Sequence, residues 1–457
     1  MSEGSLPAAV ASPSRRWSYG VALVVGVAAA VRLFAVVHKY ASDIPFWDQW
    51  DFLTPLFDES GWSALFTRQH GPHRQGLGGL VAGVILKSTH WNLRALAYFG
   101  ALCLCVAAVL SLLCVWRLFK PSWTDVALPL LIIAPTDSEL YAGPVNPAHG
   151  PLPLVLVLLA AWALGLRLPR WRAAALGAIG AVAIYTGFAV LAAPMIVALL
   201  ALDGVRAWRS HARGDLASAI AALLAIVASG SSFAVGYVFS SAVSCYRFPD
   251  PQPWLYFPFA GLQLLRPYAT YERHMGVPLE LAACAVLAAG AGLALWGFLR
   301  IAKRERSLLA ETIFLLAGFS LLFAVNSAIG RVCLGLGTAS ATRYVPYALP
   351  MVAALYLALR AVRLPRPGGA MVLAGFAALA LAANLSQTPN IAEALMYKEW
   401  KESFSACYLA RHDLAGCEHD TRAVHPRADE THLQRKLDYL ESHRLSLFRP
   451  AHGGPAR

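Results

Sequence analysis

Apolar runs of about 20 residues, separated by short polar breaks, recur along most of this chain. In helix, at about 1.5 Å per residue, such a run crosses the hydrocarbon core of a bilayer. The pattern predicts an all-α polytopic membrane protein with about eleven crossings. They fall at residues 17–37, 92–119, 125–141 (with Pro129 and Pro135 inside), 151–166, two short spans between 172 and 203, 216–239, 279–299, 308–326, 344–361 and 370–385. The two short spans meet at a break formed by Tyr185-Thr-Gly187 and Pro194. An apolar stretch at 76–86, within a first outer loop of residues 38–91, is too short to span and is expected at the interface. Residues 1–385 form the transmembrane domain, and residues 386–457 are expected as a small polar tail, partly helical.

Charge orients the chain. Only 14% of residues are charged, against about 25% in soluble domains, while 58% are hydrophobic. The +12 net charge gathers in alternate loops: Arg15 and Arg16; Arg117 and Lys120; Arg167, Arg170 and Arg172; Arg206, Arg209 and Arg213; Arg300, Lys303, Arg304 and Arg306; Arg360, Arg363 and Arg366. Such loops are cytoplasmic. The N-terminus is therefore expected inside and the C-terminal tail periplasmic, in a bacterial inner membrane. The first span reads as a signal anchor, and the basic excess as a topology signal, with the lipid bilayer and no nucleic acid as partner.

The remaining polar residues collect on the outer side. The first outer loop carries Asp43, Asp48 and Asp51 among Phe46, Trp47 and Trp50. Apolar neighbours there raise a carboxylate's basicity, so Asp48 is the first candidate general base and Asp43 the second. Gln69-His-Gly-Pro-His-Arg-Gln75 follows. His73 and Arg74 are candidate substrate ligands, whereas Gly71-Pro72 between His70 and His73 argues against a rigid metal pair. An aromatic, Pro-rich outer loop at 240–278 includes Arg273, another candidate ligand. Arg331 and Arg343, with Tyr344, stand at the mouths of the ninth and tenth spans. Guanidinium groups there either snorkel or fork onto a phosphate. Arg32, eleven residues before Asp43, is expected to face the bundle interior. Cys407 and Cys417, ten residues apart in a tail placed in an oxidising compartment, are a disulfide candidate, with zinc on His412 or His419 as the alternative.

The arrangement resembles the GT-C superfamily of membrane glycosyltransferases. The likeness rests on Arg32-Leu33 closing the first span, the acids that follow it, and the interfacial stretch before the second span. More narrowly, Pro45-Phe-Trp-Asp-Gln-Trp-Asp51, His70-Gly-Pro-His-Arg74, Gly330-Arg331 and Arg343-Tyr344 are similar to motifs of a bacterial branch of that superfamily. The resemblance implies a polyprenyl-phosphate sugar donor and a periplasmic active face. It implies a first-loop Asp as base, basic residues at the donor phosphate, and a glycan, lipid or protein acceptor. One departure is that the aspartates are spaced here, where protein O-mannosyltransferases carry adjacent Asp-Glu. No cofactor is expected, with a divalent metal left open. The alternatives are a transporter or flippase of a lipid-linked glycan, which would carry its ionisable groups at mid-membrane depth, and a non-catalytic assembly partner.

Overall fold

The computed structural model describes residues 13–239, 243–269, 276–303, 306–362, 365–421 and 432–449. In chain order the main helices are α1 (Pro13–Tyr40), α2 (Gly76–Ser88), α3 (Leu93–Leu118), α4 (Ala127–Ile132), α5 (Pro151–Ala163), α6 (Pro169–Tyr185), α7 (Ala193–Arg209), α8 (Arg213–Ala234), α9 (Tyr256–Leu265), α10 (Val277–Ala302), α11 (Leu308–Arg331), α12 (Val345–Ala361), α13 (Arg366–Leu385), α14 (Thr388–Arg411) and α15 (Leu433–Ser442). Their ends carry local signals. Asn92 caps α3 by accepting from Arg94 N at 3.1 Å, and Ser307 caps α11 by accepting from Ala310 N at 3.3 Å. Gly187, at φ 55°, takes a left-handed turn beside the Ala148 carbonyl between α6 and α7, where no Cβ would fit.

Among the described residues, eight helices are long and apolar enough to cross a membrane. In α8 and in α10 only 17% of the apolar window is covered by protein, against 67% in α11 and 72% in the α12 region. The bare apolar faces of the outer helices have no stable place in water and suit lipid. The chain is thus an all-α, multi-pass membrane protein, with α11 and α12 at its centre.

The run 125–141, expected as one crossing, is not one helix. It is a 3-10 turn at Trp123–Val126, then α4, then a separate turn at Ser138–Tyr141. Pro135 cannot continue a helix. The third, fourth and fifth expected crossings appear as helices of 6, 13 and 17 residues, at most about 26 Å long, shorter than a core of about 30 Å.

Buried charges are paired at one end of the bundle. There Glu311 at the start of α11 accepts from Arg172 and Arg206 at 2.8 and 2.9 Å, and Asp203 joins them. Nearby, Asp125 binds Arg360, accepts from Tyr356 Oη at 2.6 Å and accepts from Trp116 Nε1 at 2.9 Å. A buried carboxylate left without such partners would be strongly destabilising. Elsewhere, Arg32 donates to Asn384 Oδ1 at 2.6 Å, and Asn384 donates to the Leu130 carbonyl at 2.7 Å. That bond satisfies the interior charge and ties α1 to α13.

The tail does not stand apart from the first loop. Lys436 on α15 donates to Thr54 Oγ1 at 2.9 Å and to the Trp50 carbonyl, and Arg435 binds Asp58 at 2.6 Å. Phe46 packs on Tyr397 and Trp400 of α14. Cys407 and Cys417 are bonded to each other. A second disulfide, Cys245–Cys333, ties the 243–255 segment to the end of α11.

Candidate functional site

The first loop folds around Gln49. Its amide oxygen accepts from Phe46 N at 2.9 Å, and its nitrogen donates to the Val145 carbonyl at 3.0 Å. The turn is therefore pinned to the 133–150 segment, and Trp50 is fully buried beneath it. Asp48 and Asp51 emerge three positions apart on the same side of the short helical turn Gln49–Phe52.

A two-stranded hairpin supplies the next group. Gln69–His70 pairs with His73–Arg74, and Gly71 at φ 58° makes the turn. His70 Nδ1 donates to Asp51 Oδ2 at 2.6 Å, while its Nε2 lies 3.6 Å from Asp48 Oδ2. Arg68 holds the other oxygen of Asp51. Burial pushes the His70 imidazole down, but the two carboxylates outweigh it and raise it to about 9. Burial pushes Asp51 up, yet His70 and Arg68 bring it down to about 2. Asp48 is likewise raised by burial, but His70 and the field of Arg343 leave it below its ordinary value. The expectation that apolar neighbours make Asp48 more basic is corrected here: a protonated His70 outweighs them.

His73 lies opposite His70 in the hairpin and is buried. Its Nε2 meets Nε2 of His149 at 2.5 Å. One of the two nitrogens must donate and the other accept, so the accepting ring is neutral. Burial together with His70 and Arg331 lowers His73 to about 3. Burial and His73 hold His149 well below its usual range.

The far wall comes from the loop before α12. Arg343 binds Glu139 Oε2 at 2.6 Å. Thr342 Oγ1 accepts from Glu139 N at 3.3 Å and reaches Ser138 Oγ at 3.0 Å. Ser138 donates in turn to Glu393. Arg331 and Arg343 both lie over the Tyr344 ring, at 5.6 and 5.1 Å. Asp137, which caps the Ser138 turn, keeps one buried oxygen without a partner among the described residues.

The structure therefore brings Asp48, Asp51, His73, Arg331, Arg343 and Tyr344 together. It separates two other candidates, Asp43 and Arg74. Asp43 caps α3, accepting from Leu93 N at 2.7 Å, and pairs with Arg449 at 3.2 Å. Burial raises it to about 6. Arg74 is committed to backbone carbonyls, those of Thr67, Phe233 and Val235, so its guanidinium is not open to a phosphate. Arg273 lies outside the described residues. Sequence reasoning missed His70 as the bridge between carboxylates, Arg68, His149 and the role of Glu139. A signal existed for the last two. Both are polar residues in a Pro- and Gly-rich segment, 133–150, between apolar runs, where the chain has little reason to place them. Among the described residues, no three His, Cys, Asp or Glu side chains are arranged to hold one metal ion. No family model, curated protein or solved structure matches this chain.

Proposed function

We propose that this chain is an integral-membrane glycosyltransferase of GT-C type. It would cross the inner membrane about eleven times, with α4, α5 and α6 completing the crossings beside neighbouring helices, and with the Asp48 face periplasmic. The donor is a polyprenyl-phosphate sugar and the acceptor a hydroxyl. The observation that carries this reading is the juxtaposition of one carboxylate open to solvent, Asp48 at 45% side-chain exposure, with two guanidinium groups, Arg331 and Arg343, at the ends of central helices.

In the transfer, the acceptor oxygen attacks the anomeric carbon and the bond from that carbon to the phosphate oxygen breaks. The acceptor proton passes to Asp48, and the electron pair leaves on the polyprenyl phosphate. Direct displacement inverts the anomeric centre. Arg331 and Arg343 stabilise the phosphate as it gains charge. His70, held by Asp51, positions Asp48. Because Asp48 is ionised at neutral pH, it is ready to receive the proton.

The test is release of lipid phosphate from radiolabelled polyprenyl-phosphate sugars by the purified protein. Asp48→Asn should lower transfer about 100- to 10,000-fold while the protein accumulates normally. Full activity in Asp48→Asn, Asp43→Asn and the double variant would remove the basis of the proposal.

A further inference from the structure

Away from Asp48, a cleft of about 300 Å³ opens where the end of α1, the start of α3 and α14 meet. Its walls include Lys39, Ser42, Asp43, Arg94, Lys398 and Glu402. The charges do not cancel. Asp43 is matched by Arg449 at 3.2 Å, and Glu402 by Lys398 at 3.7 Å. Lys39 and Arg94 have no carboxylate ion-pair partner among the described residues. Ser42 Oγ is likewise buried without a hydrogen-bond partner among them.

Two apolar tracks lead into this cleft. On α1, Val24, Val27 and Val31 are 68%, 53% and 64% exposed, at helical spacing below His38. On α3, Tyr98, Leu102 and Val106 follow Arg94 at intervals of four, which places them on one face. Leu102 and Val106 are exposed. The helices touch at the top of these tracks, where His38 Nδ1 meets Tyr98 Oη at 2.9 Å and Phe34 stacks on Tyr98. A basic slot above two apolar tracks has the shape and the polarity of a diacyl lipid.

We propose that this cleft is a headgroup site for an anionic glycerophospholipid of the phosphatidylglycerol class. The phosphate lies against Lys39 and Arg94, the glycerol of the headgroup fills the remainder of the slot, and the acyl chains lie on the α1 and α3 tracks. A zwitterionic headgroup fits less well, because its cation would enter a slot that already has a positive excess. The assignment does not depend on the transferase reading.

The test is native mass spectrometry of the full-length protein in detergent with dioleoyl-phosphatidylglycerol, -phosphatidylethanolamine or -phosphatidylcholine. Phosphatidylglycerol should be retained over the other two. Lys39→Gln and Arg94→Gln should each weaken its retention about fivefold. Glu402→Gln should strengthen it, an effect that misfolding cannot imitate. Asp48→Asn should leave it unchanged, and inorganic phosphate should not displace it. Equal retention of the three lipids, wild-type retention in both basic-residue variants, or displacement by inorganic phosphate would each overturn the assignment.

Discussion

The ion pair between Glu139 and Arg343 offers a sharp test, because it is close and largely buried. The contact is 2.6 Å, with Glu139 5% and Arg343 30% exposed. At an effective dielectric constant of about 20, two charges at that separation attract by about 6 kcal/mol before desolvation is subtracted. Breaking a buried pair by removing one partner costs about 3–5 kcal/mol. Glu139→Gln should fall near the lower end, since Arg343 reaches solvent and the amide oxygen can still accept one bond. Arg343→Met should cost a similar amount, by stranding Glu139. The double variant strands nothing, so it should be more stable than the sum of the two losses by about 2 kcal/mol. The assay is unfolding of the four proteins in one detergent. Losses that add to within about 0.5 kcal/mol would refute the coupling. Transfer separates the roles further: under the proposed mechanism Arg343→Met weakens donor binding in both backgrounds, whereas Glu139→Gln retains the cation and loses less.

Three further outcomes follow from the structure. His70 keeps its proton to about pH 9 when folded, against about 6.5 unfolded, so its contribution to stability is complete below pH 6.5 and is lost as pH rises through 9; the stability difference between wild type and His70→Gln should therefore shrink from pH 6 to pH 9 in thermal melts, and a constant difference would contradict the clamp. Of eight cysteines, mass spectrometry of alkylated native protein should find four free thiols, Cys103, Cys105, Cys114 and Cys284, with bridges at Cys245–Cys333 and Cys407–Cys417. Chain entropy assigns about 2.7 kcal/mol to the bridge spanning 10 positions and about 4.6 kcal/mol to the one spanning 88. The longer loop contains α10 and α11, which lipid holds in place even when packing is lost. The Cys245→Ser/Cys333→Ser variant should therefore lose less than that larger figure in equilibrium unfolding.

What was legible in the sequence was whatever a single stretch of chain decides. The long apolar runs mark α1, α3, α8, α10 and α11 to within a few residues at most of their ends, because length and hydropathy alone set where such helices begin and stop. The break at Tyr185-Thr-Gly187 was readable for the same reason. The region 125–141 was not, because its apolar first half hides the demands of its polar second half. Ser138 and Glu139 need partners on the segment around Thr342 and on α14, and Pro135 releases the chain to reach them. Pairings across the fold were out of reach for the same physical reason. Glu139 and Arg343 are 204 positions apart, and Cys245 and Cys333 are 88 apart. A sequence shows that each charge exists, while its partner depends on how helices pack.

The three first-loop aspartates make this concrete, since nothing local distinguishes them. Asp43 is consumed in capping α3 and binding Arg449. Asp51 is gripped by Arg68 and His70. Asp48 alone combines a looser contact, 3.6 Å to His70, with substantial exposure. Asp48 is therefore the base in the proposed transfer on grounds of access and position, and not of raised basicity. A carboxylate held below its ordinary range is a weaker base, so proton transfer to it supplies less driving force. Under the proposed transfer, the deficit must be met elsewhere, by placing the acceptor hydroxyl within hydrogen-bond reach of Asp48 and by stabilising the departing phosphate. Both demands fall on groups the fold has already made rigid. Gln49 pins the Asp48 turn to Val145, and Glu139 pins Arg343. Val145 and Glu139 belong to one short segment, 133–150, which carries His149 as well. In the proposed mechanism that segment, and not the acidic loop alone, sets the distance between base and phosphate site. Loosening it through Gln49→Ala should therefore slow transfer even though Gln49 touches neither reacting group, whereas an unchanged rate in a correctly folded Gln49→Ala protein would show that the two walls are held together by something else.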